Sequence, residues 1–269
     1  MQINDTIYRE LLLSPIRTCK HYFPKFGAND QETSLDEFQR VFGADPLYAW
    51  IGLDDPLIYA AHKAAGGITS IYRQLGIGSE RLVRRIIMDN LNLTESQVSW
   101  SYEVIKEDGT KGVLKLDAYV PIELLEADAA ARVKQWIRLV GTNLGIAPDV
   151  TDQMKGIVME VRQGYKSADS KRQNADLRFA VRAYNEHLLP LMLVLSTQVS
   201  QTVVRRYSSA QFSVLKGTLS NDSSQSTYTF LNEVIGYDLA AFFERNKTLL
   251  RAEVRDIVAT LLSPTDKTN

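Results

Sequence analysis

The sequence predicts an α/β protein of the α+β type, with a central mixed β-sheet flanked by helices and helical elaborations before and after it. Three observations predict it. The run VSWSYEVIK, the Asp-Gly pair of EDGT and the run KGVLKLDAYVP (98–121) read as a β-hairpin, β-branched and aromatic residues alternating on either side of a turn. GIVMEVRQ (156–163) and PLMLVLST (190–197) are apolar enough for buried strands. Between them, from Ser170 to about His187, apolar residues recur at helical spacing. The order helix, strand, strand, strand, helix, strand over 79–197 makes a sheet with helices on its faces.

The remaining elements are read in chain order. Residues 1–45 mix aromatics with turn formers and end in a capped SLDEFQRVF, an N-terminal arm with one short helix. Residues 46–77 form one or two helices interrupted by Gly66-Gly67. Ser79 reads as the N-cap of a helix from Glu80 to about Leu91, with Leu82, Val83, Ile86 and Ile87 at helical spacing. In the second hairpin strand Val113, Lys115, Asp117 and Tyr119 share one face. Residues 122–144 are a helix or helical pair, 219–229 a polar loop, 230–262 helical, and the tail SPTDKTN disordered. The expected organisation is an N-terminal helical arm (1–78), a catalytic core (79–200) and a C-terminal helical extension (201–269), one catalytic domain with elaborations.

Composition narrows the class. With 45% hydrophobic and 23% charged residues, the 269-residue chain can bury a sizeable core. Its longest apolar run, LLPLMLVLS at 188–196, falls short of the roughly 20 residues a spanning helix needs. The start MQINDTIYRE lacks the pattern of a signal peptide, and the one cysteine, Cys19, excludes an intrachain disulfide or a cysteine-built zinc site. A cytoplasmic location is expected by default, without membrane or nucleotide cofactor. The formal net charge of −1 conceals a basic stretch: Arg162–Arg182 holds six Lys/Arg against Asp169 and Asp176.

Two acids stand out. Asp117 and Glu160 each interrupt an apolar strand, and an unpaired buried carboxylate costs several kcal/mol, on the order of other buried charges. A hard divalent cation supplies the missing partner, and oxygen ligands on neighbouring strands suit it. Alternation puts Val158, Glu160 and Arg162 on one face, with Lys166 just beyond the turn at Gly164. A cation there can orient an attacking water or neutralise developing charge on a phosphorus centre. Plainer readings stand beside these: Asp117 pairing with Lys115 or capping a turn, Glu160 pairing with a hairpin lysine, Arg162 serving only as the partner of Glu160, Lys166 solvated.

The succession of a strand carrying Asp after a hairpin, a strand ending Glu-x-basic, a basic amphipathic helix and a buried strand resembles the PD-(D/E)XK nuclease core. The stretch MEVRQGYKSADSKRQNADLRFAVRAYNEHLLPLMLVLST resembles the matching block of type II restriction endonucleases. The resemblance covers roughly residues 79–197 and rests on order and spacing, since its motifs are short. It implies that Asp117, within LKLDAYV rather than a Pro-Asp pair, and Glu160 hold Mg2+. It further implies Glu80 as an auxiliary acid, although a first-turn acid also favours the helix dipole alone. Arg162 stands where the pattern usually has Lys, with Lys166 the alternative cation. Lys166, Ser167, Ser170, Lys171, Arg172, Gln173 and Asn174 gather at a strand-to-helix junction suited to DNA phosphates.

The implied activity is Mg2+-dependent, site-specific hydrolysis of double-stranded DNA by a homodimer. A repair or nicking nuclease of the same fold, or a non-catalytic DNA-binding protein, is the alternative. His21, His62 and His187 lack metal-ligand spacing, and the glycine fragments at 66–67 and 76–79 lack a phosphate-loop ending. Trp50, Trp100 and Trp136 read as core. One spatial condition governs the whole reading: the carboxyls of Asp117 and Glu160 must emerge on the same side of the sheet.

Overall fold

A computed structural model describes residues 3–26, 31–105, 109–165 and 170–264. Its elements in chain order are α1 (Ile3–Arg17), β1 (Lys25–Phe26), β2 (Gln31–Glu32), α2 (Leu35–Gly43), α3 (Pro46–Ile51), α4 (Pro56–Leu91), β3 (Ser101–Ile105), β4 (Lys111–Lys115), β5 (Ala118–Pro121) and α5 (Ala127–Leu144). There follow α6 (Pro148–Asp152), β6 (Gly156–Arg162), α7 (Ser170–Asn185), β7 (Leu188–Val194), α8 (Gln201–Ser209), β8 (Ser213–Leu215), α9 (Thr227–Phe230) and α10 (Leu239–Leu262). The chain divides into two compact units, one of Met1–Gly78 with Arg245–Asn269, the other of Ser79–Glu244. The expected disorder of the tail concerns residues of which 265–269 lie outside the described ones.

In the first unit the cap of α2 is the one the sequence predicts, and α3 adds another. Ser34 accepts a hydrogen bond from the Glu37 amide at the start of α2, and Asp45 accepts from Leu47 ahead of Pro46 in α3. Three expectations need correction. The N-terminal arm contains a 15-residue helix, α1, besides α2. Gly66-Gly67 does not interrupt a helix: α4 runs unbroken through it. A Cβ at Gly66 would overlap the Tyr22 hydroxyl oxygen, and one at Gly67 would stand 2.6 Å from the methyl carbons of Leu261. The pair is therefore a close-packing surface, and its helix-propensity cost of about 1 kcal/mol per glycine is offset by that approach. Third, Trp50 is 82% exposed rather than core, although Trp100 and Trp136 are buried.

The second unit is a mixed sheet flanked by helices. Four strands lie in the order β5-β6-β7-β8, β5 antiparallel to β6 and the others parallel. β3 and β4 form a separate two-stranded ladder. The run 111–121 thus differs from the single strand read in the sequence, because the chain changes partner within it. The Leu116 amide donates to the Trp100 carbonyl, whereas the Asp117 amide donates to the Met159 carbonyl. Asp117 is the first residue on the new partner. β8, three residues long, carries too little alternation to be read from sequence.

β7 is buried along its whole length, as its composition predicts. Trp100, Val158, Phe179, Met192, Tyr207 and Phe212 share one core cluster, with the Tyr207 and Phe212 rings stacked at 4.9 Å between centroids. Among the described residues no helix is long and apolar enough to cross a membrane.

Gly156 opens β6, and a Cβ on it would run into the Val120 carbonyl oxygen. The clash is with backbone, so β5 and β6 would have to separate. Gly156→Ala is expected to destabilise the protein by about 1–3 kcal/mol, the usual cost of overpacking. Urea denaturation checks it; an unchanged midpoint would show that the strands yield freely.

Candidate functional site

The β5–β6 register sets Ala118 opposite Met159, and the Asp117 amide donates to that same Met159 carbonyl, so Asp117 sits at an irregular step just before β5. The Asp117 charge acts on Glu160, so the two carboxylates lie close. One oxygen of Asp117 is held by the Val161 amide, Oδ2 to N 2.8 Å, and its carbonyl accepts from Arg84 Nε at 2.6 Å. The hairpin's change of partner and this amide contact together fix the carboxylate beside β6.

Glu160 points to the face of Val158, towards α7. Its Oε1 meets Arg162 Nη2 at 2.7 Å, and the same nitrogen lies 3.3 Å from Asp176 Oδ1 on α7. Asp176 Oδ2 in turn accepts from the Tyr207 hydroxyl at 2.7 Å and the Tyr165 hydroxyl at 3.1 Å. Arg162 is thus gripped between two acids, with its Nε buried and without a hydrogen-bond partner.

The electrostatics follow from burial and like charge. Desolvation, then the Asp117 charge, push Glu160 up to about 8, Arg162 opposing. The same two causes push Glu80 up to about 7. Desolvation raises Asp117 as well, against the Val161 hydrogen bond. Burial would lower the Arg162 guanidinium, but the charges of Glu160, Asp176 and Asp117 outweigh it and raise it. Burial is the first cause of all three shifts, and the Asp117 charge adds to it at Glu160 and Glu80.

The structure therefore brings together Asp117, Glu160, Arg162 and Glu80. Glu80 does not stand in a first turn behind an N-cap; it lies within α4, and Ser79 beside it is 2% exposed. The dipole explanation of that acid thereby falls away. Lys166 and Ser167 lie outside the described residues. Ser170, Lys171 and Arg172 are exposed at the start of α7. Gln173 is a correction: it is 4% exposed and accepts from Arg206 Nη1 at 2.8 Å, so it is turned from any surface DNA could reach. Asn174 accepts from Arg206 Nη2 at 2.6 Å.

Sequence reading missed Asp176, Tyr165, Tyr207 and Arg84. Asp176 had a signal. Gln173, Asp176, Ala180 and Ala183 form the buried stripe of α7, and an acid on such a stripe needs a partner as much as one in a strand. Tyr165 and Tyr207, 42 positions apart, carried none.

Among the described residues no group of three or more His, Cys, Asp or Glu is arranged to hold a metal ion. Asp117 and Glu160 still offer neighbouring oxygen donors, and Mg2+ is commonly held by one or two carboxylates with water and phosphate completing its shell. The donor chemistry fits that kind of site. Comparison with protein-family models, curated proteins and solved structures returned no match for this chain.

The raised acids have a stability consequence. Glu160 and Glu80 hold protons in the folded state that they release near 4.5 when unfolded. The folded state binds more protons between about 4.5 and 8, so stability falls as pH rises through that window. Without divalent cations Tm is expected to be higher near pH 5 than near pH 8, and Mg2+ to raise it more at pH 8. Calorimetry across that range checks it; a Tm that rises steadily to pH 8 in chelator would refute the assignment of these charges.

Proposed function

We propose that the protein is a Mg2+-dependent endonuclease related to type II restriction enzymes, acting on DNA phosphodiester bonds. The observation that carries this reading is the Asp117 carboxylate held on the Val161 amide, next to Glu160 in β6, with Glu80 close enough to raise the proton affinity of Glu160. In this reading Asp117 and Glu160 hold the cation and Glu80 assists through water. When bound, Mg2+ supplies Lewis-acid polarisation of the phosphoryl oxygen. Arg162 would neutralise charge developing on phosphorus. Lys166 is the alternative cation for that duty. Ser170, Lys171 and Arg172 face the DNA backbone from the start of α7. A homodimer presents one such site to each strand of a duplex.

The test is cleavage of unmodified phage and plasmid DNA by the purified protein with Mg2+, and in chelator. Discrete fragments support a site-specific enzyme, and nicks or a smear a repair or nicking nuclease. Intact DNA under all conditions rejects catalysis. Sedimentation with and without DNA tests the dimer.

The Arg162 ion pairs favour a second reading, a non-catalytic DNA-binding protein whose acids only anchor α7 to the sheet. That reading requires DNA affinity indifferent to Asp117 and to Mg2+.

A further inference from the structure

Beyond the carboxylates, the hairpin and α7 enclose an open groove of about 810 Å3. Tyr102, Ile105 and Leu114 line one side, Arg178, Val181 and Arg182 the other. The apolar members are conspicuous: Ile105 is 79% exposed, Val181 62% and Leu114 46%. Arg178 and Arg182 are exposed and make no hydrogen bond or ion pair among the described residues. They sit four residues apart, one above the other, about 6 Å along the helix. Glu103 is the acid of the lining, and it is paired with Lys111 at 3.3 Å. The groove adjoins the carboxylate site, since Arg178, Glu160, Arg182 and Asp176 all act electrostatically on the Tyr102 hydroxyl.

We infer that this groove binds a single, unpaired strand of DNA, with Arg178 and Arg182 on successive phosphates and base faces laid against Tyr102, Ile105, Leu114 and Val181. Two exposed guanidiniums beside an apolar wall suit an anion that carries apolar faces. A duplex turns its phosphates and groove edges outward and hides its base faces, so it has nothing to set against the apolar wall. An unpaired strand has both a charged edge and exposed π faces, the combination that single-strand grooves recognise. The inference rests on the nuclease reading only for its biological setting. It adds an unpaired stretch beside the duplex cut, held on the exposed face of α7 at Arg178 and Arg182.

The test is fluorescence anisotropy with a labelled oligonucleotide, as a single strand and as a duplex of equal length, in chelator so that nothing is cut. The wild type is expected to prefer the single strand. Arg178→Ala with Arg182→Ala should weaken that binding at least ten-fold and flatten the slope of log affinity against log salt by about 1.4, the value for two phosphate contacts on a single strand. Tyr102→Leu should weaken binding about five-fold or more at unchanged slope, as loss of one stacked base does. All three positions lie at the groove surface, and circular dichroism verifies folding.

Unchanged affinity in the double variant overturns the inference, as does a preference for duplex. So does a wild-type dimer that Val181→Asp dissociates without altering DNA affinity, which would make the groove a contact between copies. Loss of the nuclease reading looks different: strand binding that depends on Arg178 and Arg182 in a protein that never cuts DNA with Mg2+.

Discussion

On the proposed nuclease reading, Asp117→Asn and Glu160→Gln are each expected to lower Mg2+-dependent DNA cleavage by about 10^3-fold, on the scale expected when a cation ligand rather than its outer support is lost. Both are close in shape to the residues they replace. The asparagine keeps an oxygen to accept the Val161 amide, and the glutamine keeps the length of the glutamate. What is lost is charge where three carboxylates already oppose one another. Glu160→Gln should therefore do something a structural salt bridge does not. Near pH 8 and without metal it should raise Tm, because the folded protein no longer holds a carboxylate that burial and Asp117 disfavour. Arg162 retains Asp176 as a partner. A single pair of measurements, cleavage and Tm in chelator, separates the two roles. Lower Tm with undiminished cleavage would reduce Glu160 to an anchor for Arg162.

The second large effect lies at Asp176. Its side chain is 8% exposed, pairs with Arg162 and accepts from two tyrosine hydroxyls. Asp176→Ala leaves Tyr165 and Tyr207 without this acceptor and Arg162 with Glu160 alone. Breaking a buried pair from one side costs about 3–5 kcal/mol, because the remaining charge and donors stay buried. The loss should be read by urea denaturation at neutral pH. Tyr207→Phe, which removes one hydroxyl and keeps the stack on Phe212, should cost about 1 kcal/mol. A cost below about 1 kcal/mol for Asp176→Ala would mean that α7 is held to the sheet by its apolar stripe alone.

Residues differ in how legible they are for physical reasons. Asp117 and Glu160 were readable because each is a charge in a strand whose period-two pattern is strong over only a few residues. In the fold the Val161 amide holds the Asp117 carboxylate next to Glu160. Glu80 was readable as an acid but not as a helix-interior one. The apparent stop at Gly66-Gly67 is undone by the approach of Tyr22 and Leu261, and no local pattern reports that packing. Gln173 read as a polar residue in a basic run, yet it belongs to the inward stripe of α7, set by helical phase rather than composition.

Local periodicity carries over one element: it specifies helix or strand, buried face or exposed, and it marks the acid that breaks a run. Those inferences needed only neighbours within a few residues, and they sufficed for a mixed sheet flanked by helices and for two of its unusual carboxylates. The change of partner between Leu116 and Asp117, the hold of Asp176 on Arg162, and the tyrosine pair behind it join residues 14 to 44 positions apart. Such contacts are chosen by which surfaces meet when the sheet closes on α7. Burial then sets the charge each group can hold, and burial is a property of the assembled fold.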